Sequence, residues 1–250
     1  MTDIGNAIGT VAELWRYPVQ SMGGEQLRSA ELTESGLVGD RAYGLVDPEI
    51  GEVVSSAQGK RKWRGIVTLS ARYLAAPDKS GASMPVEITL PSGDRLTSGQ
   101  PDLDERLSSE LGSSVHFADK AKESAAPSYR QQPLHILTTA SLRRFSRHYP
   151  EGRFVAARFR PNLVLDTGAT EGFAEQGWIG QQFRIGDSLV IAITDHCKRC
   201  VMTTLPQGEV PFDPAILHTV TQQNGTQAGV YASVVQPGQI TLGDPVRPVG

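Results

Sequence analysis

The two cysteines of the chain lie in one short basic segment, His196-Cys197-Lys198-Arg199-Cys200, directly after an apolar stretch. The thiolate is the reactive and metal-binding form of cysteine, and neighbouring cations such as Lys198 and Arg199 stabilise it. Soft thiolates bind soft metals and metals held through sulfur. Four interpretations fit this spacing: a redox dithiol, a structural zinc site, two inert buried thiols, or one metal-binding thiolate in a cationic setting built for an anionic cofactor.

The surrounding residue types weaken two of these interpretations. A redox Cys-x-x-Cys normally opens a helix, whereas the following Val201-Met202-Thr203-Thr204 is β-prone. A structural zinc needs four ligands, so His196 and the distant His218 would have to join the two cysteines. A disulfide within this pair would close a loop too short to stabilise the fold much. Inert thiols and a metal-binding thiolate both remain open on spacing alone.

Two further clusters could bind an anion. In Arg158-Phe159-Arg160-Pro161-Asn162, the proline is expected to keep Arg160 extended, and an arginine there could bind a phosphate through two hydrogen bonds. In Tyr17-Pro18-Val19-Gln20-Ser21-Met22-Gly23-Gly24, the serine and glycines could turn backbone N–H groups toward an anion. Taken alone, spacing favours a surface arginine pair for the first cluster and a plain hairpin turn for the second. Arg41, in Gly39-Asp40-Arg41, is either a ligand or a solvated charge.

Composition limits the class of protein. The chain has 250 residues, of which 39% are hydrophobic and 20% charged, as expected of a soluble globular protein. A net charge of −3 argues against general nucleic-acid binding. No apolar run is long enough to cross a bilayer, and the N-terminus does not resemble a secretory signal. We therefore expect a cytoplasmic protein that binds neither nucleic acid nor membrane.

The hydrophobic pattern predicts many short strands and three helices. Alternating or continuous apolar stretches bounded by turn residues predict strands at Val11–Tyr17, Gln26–Leu32, Ala42–Val46, Val53–Ser55, Ile66–Leu69, Val86–Leu90, Asn162–Leu165, Gln182–Ile185, Leu189–Ile193, Gly229–Val235 and Gln239–Leu242. Helices are predicted at Pro101–Leu111, from a cap at Thr139 to Pro150, and around Asp213–Gln222. Residues 121–130 read as a polar linker, and 60–64 as a solvated basic loop or a docking site for an acidic electron-transfer partner. The fold class predicted is α+β, predominantly β, with a β-barrel and a few packed helices.

In order along the chain, these pieces resemble the MOSC family, named for the C-terminal domain of molybdenum cofactor sulfurase. The segments 17–22 and 36–41 are similar to the N-terminal β-barrel module of that family. Phe159-Arg160-Pro161-Asn162, Gly177-Trp178, Arg184-Ile185-Gly186-Asp187 and Cys197-Lys198-Arg199-Cys200 are similar to its core, which Gly229-Val230-Tyr231-Ala232 and Gly243-Asp244-Pro245-Val246 close. The resemblance implies a mixed β-barrel MOSC core at residues 128–248 and an N-terminal β-barrel-like module at residues 9–120.

The resemblance also implies a cofactor and its contacts. In members with this two-part layout, among them the amidoxime-reducing components, the second cysteine binds molybdenum, which makes Cys200 the expected metal ligand and catalytic residue. The residues expected to contact the molybdopterin or its phosphate are Gln20, Ser21, Arg41, Gln132, Thr138, Arg160, Asn162, Lys198 and Arg199. Gln20 stands where relatives commonly have lysine, so one charge-assisted phosphate contact is absent at this position.

The implied activity is a molybdenum-dependent reductase that removes oxygen from N-hydroxylated or S-/N-oxide small molecules. No haem, flavin or iron–sulfur pattern is evident in the sequence, so the electrons are expected from a separate ferredoxin-, flavin- or cytochrome-type partner. Two alternatives from other classes stay open: a non-redox carrier of sulfur or of the molybdenum cofactor with a persulfide on Cys200, and a cofactor-free scaffold.

Overall fold

The computed structural model describes residues 7–57, 61–79, 83–120, 122 and 132–249. The strands are β1 Gly9–Arg16, β2 Glu25–Leu27, β3 Ser29–Thr33, β4 Gly36–Leu37, β5 Tyr43–Asp47, β6 Glu52–Val53, β7 Ser70–Tyr73, β8 Val86–Thr89, β9 Arg95–Thr97, β10 His116–Asp119, β11 Leu134–Thr138, β12 Leu163–Asp166, β13 Gln182–Ile185, β14 Leu189–Lys198, β15 Gln227–Gln236, β16 Gly238–Thr241 and β17 Pro245–Pro248. The helices are α1 Leu103–Leu111, α2 Thr139–His148, α3 Ala156–Phe159 and α4 Ala215–Asn224, with 3-10 helices at Arg61–Thr68, Ala174–Trp178 and Val201–Thr204.

Seven strands close into a mixed barrel. Their order is β12-β11-β15-β14-β13-β17-β1, and β1 pairs with β12 to complete the circle. The β11–β12 pair is parallel, and the neighbouring pairs around the barrel are antiparallel. The predicted fold class, a predominantly β protein with a mixed barrel, is confirmed.

The barrel core is built from both halves of the chain. Val11 and Leu14 of β1 pack in one apolar cluster with Leu163 and Leu165 of the facing strand β12. Val11 and Leu14 are three positions apart, so simple alternation would turn them to opposite faces, but a register irregularity between Val11 and Glu13 lets both side chains be buried. The barrel therefore needs residues 9–16 between β12 and β17, whereas the division into residues 9–120 and 128–248 stays a prediction.

A second apolar cluster lies among β5, β7, β8, α1 and the 3-10 helix Arg61–Thr68, and here two predictions are wrong. Ile66–Leu69 was predicted as a strand, but Ile66 and Val67 are buried from this 3-10 helix. The described part of the predicted solvated loop 60–64 lies in the same helix, with Trp63 fully buried. A short apolar run does not by its period distinguish a strand from a buried helical turn.

The predicted α-helices are present with small shifts at their ends. Helix α1 ends where Gly112 adopts a left-handed conformation, as expected of a glycine after a helix. The cap of α2 is Thr138 and not the predicted Thr139, because the Thr138 hydroxyl accepts a hydrogen bond from Ser141 N (3.1 Å). Apart from Lys122, the predicted linker 121–130 lies outside the described residues. None of the described helices has the length and hydropathy needed to cross a membrane.

Candidate functional site

The end of strand β14 and the residues that follow it place the two cysteines in different environments. The strand ends at Lys198 after a register irregularity between His196 and Lys198, a feature often found where a strand re-aims a side chain at a site. Cys197 is buried and Cys200 is exposed, and neither forms a disulfide. Cys200 lies two residues after the end of β14 and immediately precedes the 3-10 helix Val201–Thr204.

The exposed thiol opens into a small cavity, called here the inner cavity, of about 190 Å³. It is lined by Ser21, Arg41, Ser55, Ala57, His135, Phe159, Arg160, Lys198, Arg199, Cys200, Met202 and Tyr231. Four of these residues are cationic, and among the described lining residues there is no carboxylate. In a chain of net charge −3, this local excess of positive charge marks a place suited to an anion.

Arg199 is held in place before any ligand binds. Its guanidinium donates to Cys197 Sγ (2.6 Å) and to the Phe159 carbonyl (2.7 Å). Burial raises the pKa of the Cys197 thiol, but the Arg199 charge, together with His135 and Tyr231, outweighs it and lowers the pKa to about 6. Burial in turn lowers the pKa of Arg199, and the Cys197 thiolate more than restores it. Cys197 and Arg199 thus each favour the charged form of the other.

Arg41 and Arg160 lie against the same aromatic ring. The guanidinium carbon of Arg160 is 4.3 Å from the centre of the Tyr17 ring and that of Arg41 is 5.0 Å from it. Arg41 also pairs with Asp40, and Arg160 donates to the Met22 carbonyl. Burial raises the pKa of Tyr17 strongly, so the phenol stays neutral and serves as an aromatic platform for the two cations.

Three site residues have a left-handed backbone, with φ of 68° at Ser21, 51° at Arg41 and 56° at Arg160. Among the described non-glycine residues, only Thr226 shares this feature. The prediction of an extended Arg160 is thus wrong: the residue ends helix α3 in the left-handed region, and its N–H donates to the Ala156 carbonyl (2.9 Å). Such conformations cost about 1–3 kcal/mol each and concentrate at functional sites.

A second cavity of about 400 Å³, called here the outer cavity, adjoins the first, since Arg41 lines both. Gln132 lines it, together with Asp40 and Lys120. Gln20 is buried beside this region and accepts a hydrogen bond from Lys120 Nζ (3.3 Å). Two of the predicted cofactor contacts, Gln20 and Gln132, are therefore associated with the outer cavity.

The remaining two predicted contacts are engaged inside the protein. Asn162 Oδ1 accepts from the His135 N–H (3.1 Å), and Asn162 Nδ2 donates to the Trp15 carbonyl (3.4 Å). Thr138 caps α2 and donates to the buried Glu175 carboxylate (2.7 Å). The structure thus brings Ser21, Arg41, Arg160, Lys198, Arg199 and Cys200 together at one cavity. It leaves Gln20, Asn162 and Thr138 outside both cavity linings.

Six residues of the inner-cavity lining were not predicted as site residues: Ser55, Ala57, His135, Phe159, Met202 and Tyr231. His135 lies in the apolar strand β11, where an imidazole between Leu134 and Ile136 is an unusual residue and was the available signal. Its ring nitrogens lie 3.3 Å from the Arg160 carbonyl and 3.1 Å from the Ala228 carbonyl. The ring fits because Gly229 has no side chain: a Cβ there would come within 2.5 Å of His135 Nε2.

Among the described residues, no three His, Cys, Asp or Glu side chains assemble into a metal-binding group. The zinc interpretation of Cys197, Cys200, His196 and His218 therefore has no support in the part of the chain that the structure describes. Cys200 instead lies among cations and beside a cavity, which is the arrangement expected for a metal that arrives as part of an anionic cofactor.

Comparison with known families decides the relationship. The model of the MOSC domain matches residues 112–247, and that of the MOSC N-terminal beta barrel domain matches residues 8–92. The chain belongs to the MOSC domain family. Both parts of the sequence resemblance are thereby confirmed, and the MOSC match spans more than half of the 250 residues.

Curated relatives of this MOSC protein include two enzyme components and a sulfurase. Mitochondrial amidoxime reducing component 2 of Rattus norvegicus is 26% identical over 96% of this chain and 83% of the relative. Mitochondrial amidoxime-reducing component 1 of Homo sapiens is 27% identical over 97% and 84%. The molybdenum cofactor sulfurase of Drosophila grimshawi is 25% identical over 92% of this chain but only 33% of its own length.

Among solved structures, the YUAD protein from Bacillus subtilis superposes with a TM-score of 0.51. The match covers 95% of this chain and 93% of that one at 10% sequence identity. At this identity, the similarity supports a shared fold and carries no information on activity.

Proposed function

We propose that this MOSC protein binds a molybdopterin-type molybdenum cofactor through Cys200 and uses it to reduce N-hydroxylated or S-/N-oxide small molecules. The observation that carries the proposal is the convergence of one exposed thiol with Arg41, Arg160 and Arg199 on the inner cavity. The names of the rat and human relatives, amidoxime reducing components, point to the same class of substrate.

The residues present fit such a cofactor. Cys200 supplies a soft sulfur ligand, and the guanidiniums supply hydrogen bonds and charge for an anionic group. Arg199 Nε is buried and has no hydrogen-bond partner within the described residues, so it is a donor suited to an acceptor from a bound ligand. When bound, the molybdenum centre would supply two-electron oxygen-atom chemistry that amino-acid side chains cannot perform.

The contribution of the protein is to bind, orient and exclude water. Arg199 is fixed by Cys197 and the Phe159 carbonyl, while Arg41 and Arg160 are fixed on the Tyr17 ring. Because these groups are positioned in advance, binding an anion orders few additional side chains. Phe159 and Met202 contribute apolar side chains to the lining, and a bound cofactor that fills the inner cavity would displace water from the thiol. Electrons would come from a separate partner protein.

A second candidate function is the transfer of sulfur or of the cofactor itself. The match to the Drosophila molybdenum cofactor sulfurase favours it, since that protein is named for sulfur handling. An exposed thiol beside Lys198 and Arg199 could hold a persulfide as well as a metal. In this case Cys200 would be required for transfer, but no substrate would be reduced.

Turnover distinguishes the two functions. Protein from a host that makes the cofactor is supplied with an artificial one-electron donor and an N-hydroxylated amidine, and the rate of amidine formation is measured. We expect turnover by the wild type and a rate at least about 100-fold lower for Cys200→Ser, a loss of about 2.7 kcal/mol in transition-state stabilisation. Protein from a cofactor-deficient host is the negative control.

Unchanged turnover in Cys200→Ser would show that the proposed ligand role is wrong. Molybdenum bound by the wild type without turnover of any N- or S-oxygenated substrate would favour the carrier function.

A further inference from the structure

The outer cavity has a composition of its own. At about 400 Å³ it is lined by Ser35, Leu37, Asp40, Arg41, Ala42, Lys120, Gln132 and Pro133. It shares Arg41 with the inner cavity and does not include Cys200. A ligand whose one end reaches the thiol therefore has a continuation past Arg41 into a space that holds a second cation, Lys120.

The backbone fixes Lys120 at this position. The residue directly follows β10, and its N–H donates to the Ala42 carbonyl (3.0 Å), which anchors it beside the start of β5. Its ammonium donates to Gln20 Oε1 (3.3 Å), a contact between residues separated by 100 positions. Tertiary structure thus brings a lysine next to an arginine at the wall of one cavity.

Arg41 and Lys120 place two positive charges in the lining of the outer cavity. Asp40 pairs with Arg41 and also accepts from the Tyr17 N–H (2.8 Å). Burial and then repulsion by Arg41 lower the pKa of Lys120 to about 8, against the opposing effect of Asp40. Lys120 is nevertheless mostly protonated at pH 7, so its ammonium is a partly desolvated charge that an added anion would stabilise.

Gln20 provides a second, independent observation. Its side chain is 2% exposed, and Gln20 Nε2 has no hydrogen-bond partner among the described residues. The other polar atom of this side chain, Oε1, accepts the hydrogen bond from Lys120 Nζ. A buried amide donor without an acceptor is costly unless a bound group completes it.

We propose that Lys120 and Arg41, which line the outer cavity, form an anion subsite together with the buried amide of Gln20, which contacts Lys120, and that this subsite binds a phosphate monoester. The inference rests on the proposed function insofar as this phosphate belongs to the molybdopterin cofactor. By holding that end of the cofactor, Lys120 is a positioning residue for the end that reaches Cys200.

The first test uses the cofactor-free protein and inorganic phosphate at constant ionic strength, with the dissociation constant measured by calorimetry. Lys120→Gln removes the charge, and Lys122→Gln is the matched control, because Lys122 is 67% exposed and pairs only loosely with Asp119 (3.6 Å). We expect Lys120→Gln to weaken phosphate binding by about 10- to 100-fold, as for loss of a hydrogen bond to a charged group, and Lys122→Gln by less than about twofold. Equal effects of the two substitutions, or no binding by the wild type, would overturn the subsite.

A charge relocation separates the role of the ammonium from an effect on folding. The double variant Gln20→Lys/Lys120→Gln places the amine on the other side of the same 3.3 Å contact. We expect it to recover most of the phosphate affinity lost in Lys120→Gln. If the loss persists although the double variant unfolds at the wild-type temperature, the charge is not what binds phosphate.

Molybdenum content then distinguishes this inference from the proposed function. Wild type, Lys120→Gln and Lys122→Gln are purified from a host that makes the cofactor. Reduced metal in Lys120→Gln alone supports the subsite. Equal metal in all three, with equal phosphate affinity, overturns the subsite and leaves the function standing. No metal in the wild type, with phosphate affinity that still depends on Lys120, overturns the function and leaves the anion subsite standing.

Discussion

At the scale of single residues, the site is marked by backbone conformations that side chains normally avoid. Ser21, Arg41 and Arg160 lie far apart in the sequence, yet all three have positive φ and line the inner cavity. Each is fixed by its surroundings: Arg41 N–H donates to the Tyr17 carbonyl (2.7 Å), and Ser21 Oγ accepts from the Ser56 N–H (3.3 Å). The surrounding fold offsets the local strain, so the ligand-facing atoms are arranged in advance.

The Cys197–Arg199 pair makes stability depend on pH. Because the pKa of Cys197 is lowered to about 6, the folded state gains stability from the thiolate above the ordinary thiol pKa, and this gain disappears as pH falls toward 6. We expect the difference in unfolding free energy between the wild type and Cys197→Ala to shrink by about 2–4 kcal/mol between pH 9 and pH 6. Urea denaturation of the cofactor-free proteins at a series of pH values measures it.

Because the wild type and Cys197→Ala are compared at each pH, the titration of the groups that both proteins share cancels from the difference in unfolding free energy. Cys197→Ser provides the control, since it keeps a small polar side chain that stays neutral throughout this range. A difference that is constant from pH 6 to pH 9 would mean that Cys197 is a neutral thiol and that its contact with Arg199 is not an ion pair.

Residues in continuous motifs could be predicted from the sequence, whereas residues brought in by tertiary contacts could not. Ser21, Arg41, Arg160, Arg199 and Cys200 each stood in a short recognisable segment, and the structure gathers them at one cavity. Lys120 carried no local signal, because its relation to Gln20 spans 100 positions. The cation that the family pattern led us to expect at position 20 has a counterpart in Lys120, which only the fold reveals.

At the scale of elements, the segment that follows Cys200 is held by a buried arginine. Arg158 of α3 is fully buried and donates to three carbonyls: Nε to Arg153 (3.1 Å), Nη1 to Thr203 (2.8 Å) and Nη2 to Pro211 (3.0 Å). It thereby ties the 3-10 helix Val201–Thr204 to the chain on either side. We therefore expect the position of the Cys200 thiol to depend on these hydrogen bonds.

Loss of the Arg158 hydrogen bonds should destabilise the protein and make the segment that carries the Cys200 thiol less ordered. We expect Arg158→Met to lower the unfolding free energy by about 2–3 kcal/mol, because the buried Thr203 carbonyl and the partly buried carbonyls of Arg153 and Pro211 lose a charged donor. The measurement is urea denaturation, combined with the rate at which Cys200 reacts with a thiol reagent in the folded protein, which should rise.

The exposed Arg144 on α2 offers a matched control, since Arg144→Met should change stability by less than about 0.5 kcal/mol. Equal stability of the two variants would show that the 3-10 helix is held by its own hydrogen bonds. Sequence patterns could not predict this tie, because Arg158 and Arg160 look alike in sequence while one is a structural residue and the other lines the cavity.

At the scale of the whole molecule, strand β1 joins the two halves of the sequence. Its residues pair with β12 on one side and with β17 and β2 on the other, and its apolar side chains lie in the barrel core. The barrel class could be predicted from the many short strands and turn residues. The closing partners could not, because strands 150 residues apart in sequence leave no local sign of their pairing.

We expect the complete cofactor-free chain to unfold in one transition, with circular dichroism and tryptophan fluorescence giving the same midpoint. A fragment of residues 128–248 should not fold, because it lacks the strand between β12 and β17. Addition of a peptide of residues 7–16 to that fragment tests the strand itself. Two separate transitions, or a stably folded fragment, would contradict a barrel completed by β1.

The most direct test of the account is the molybdenum content of wild type and Cys200→Ser, purified side by side from a host that makes the cofactor and measured by elemental analysis. We predict near-stoichiometric molybdenum in the wild type and its loss in Cys200→Ser, because the thiol is the sulfur ligand that the protein presents at the inner cavity. Molybdenum absent from both, while a known molybdenum protein from the same host is loaded, or present equally in both, would contradict the central claim.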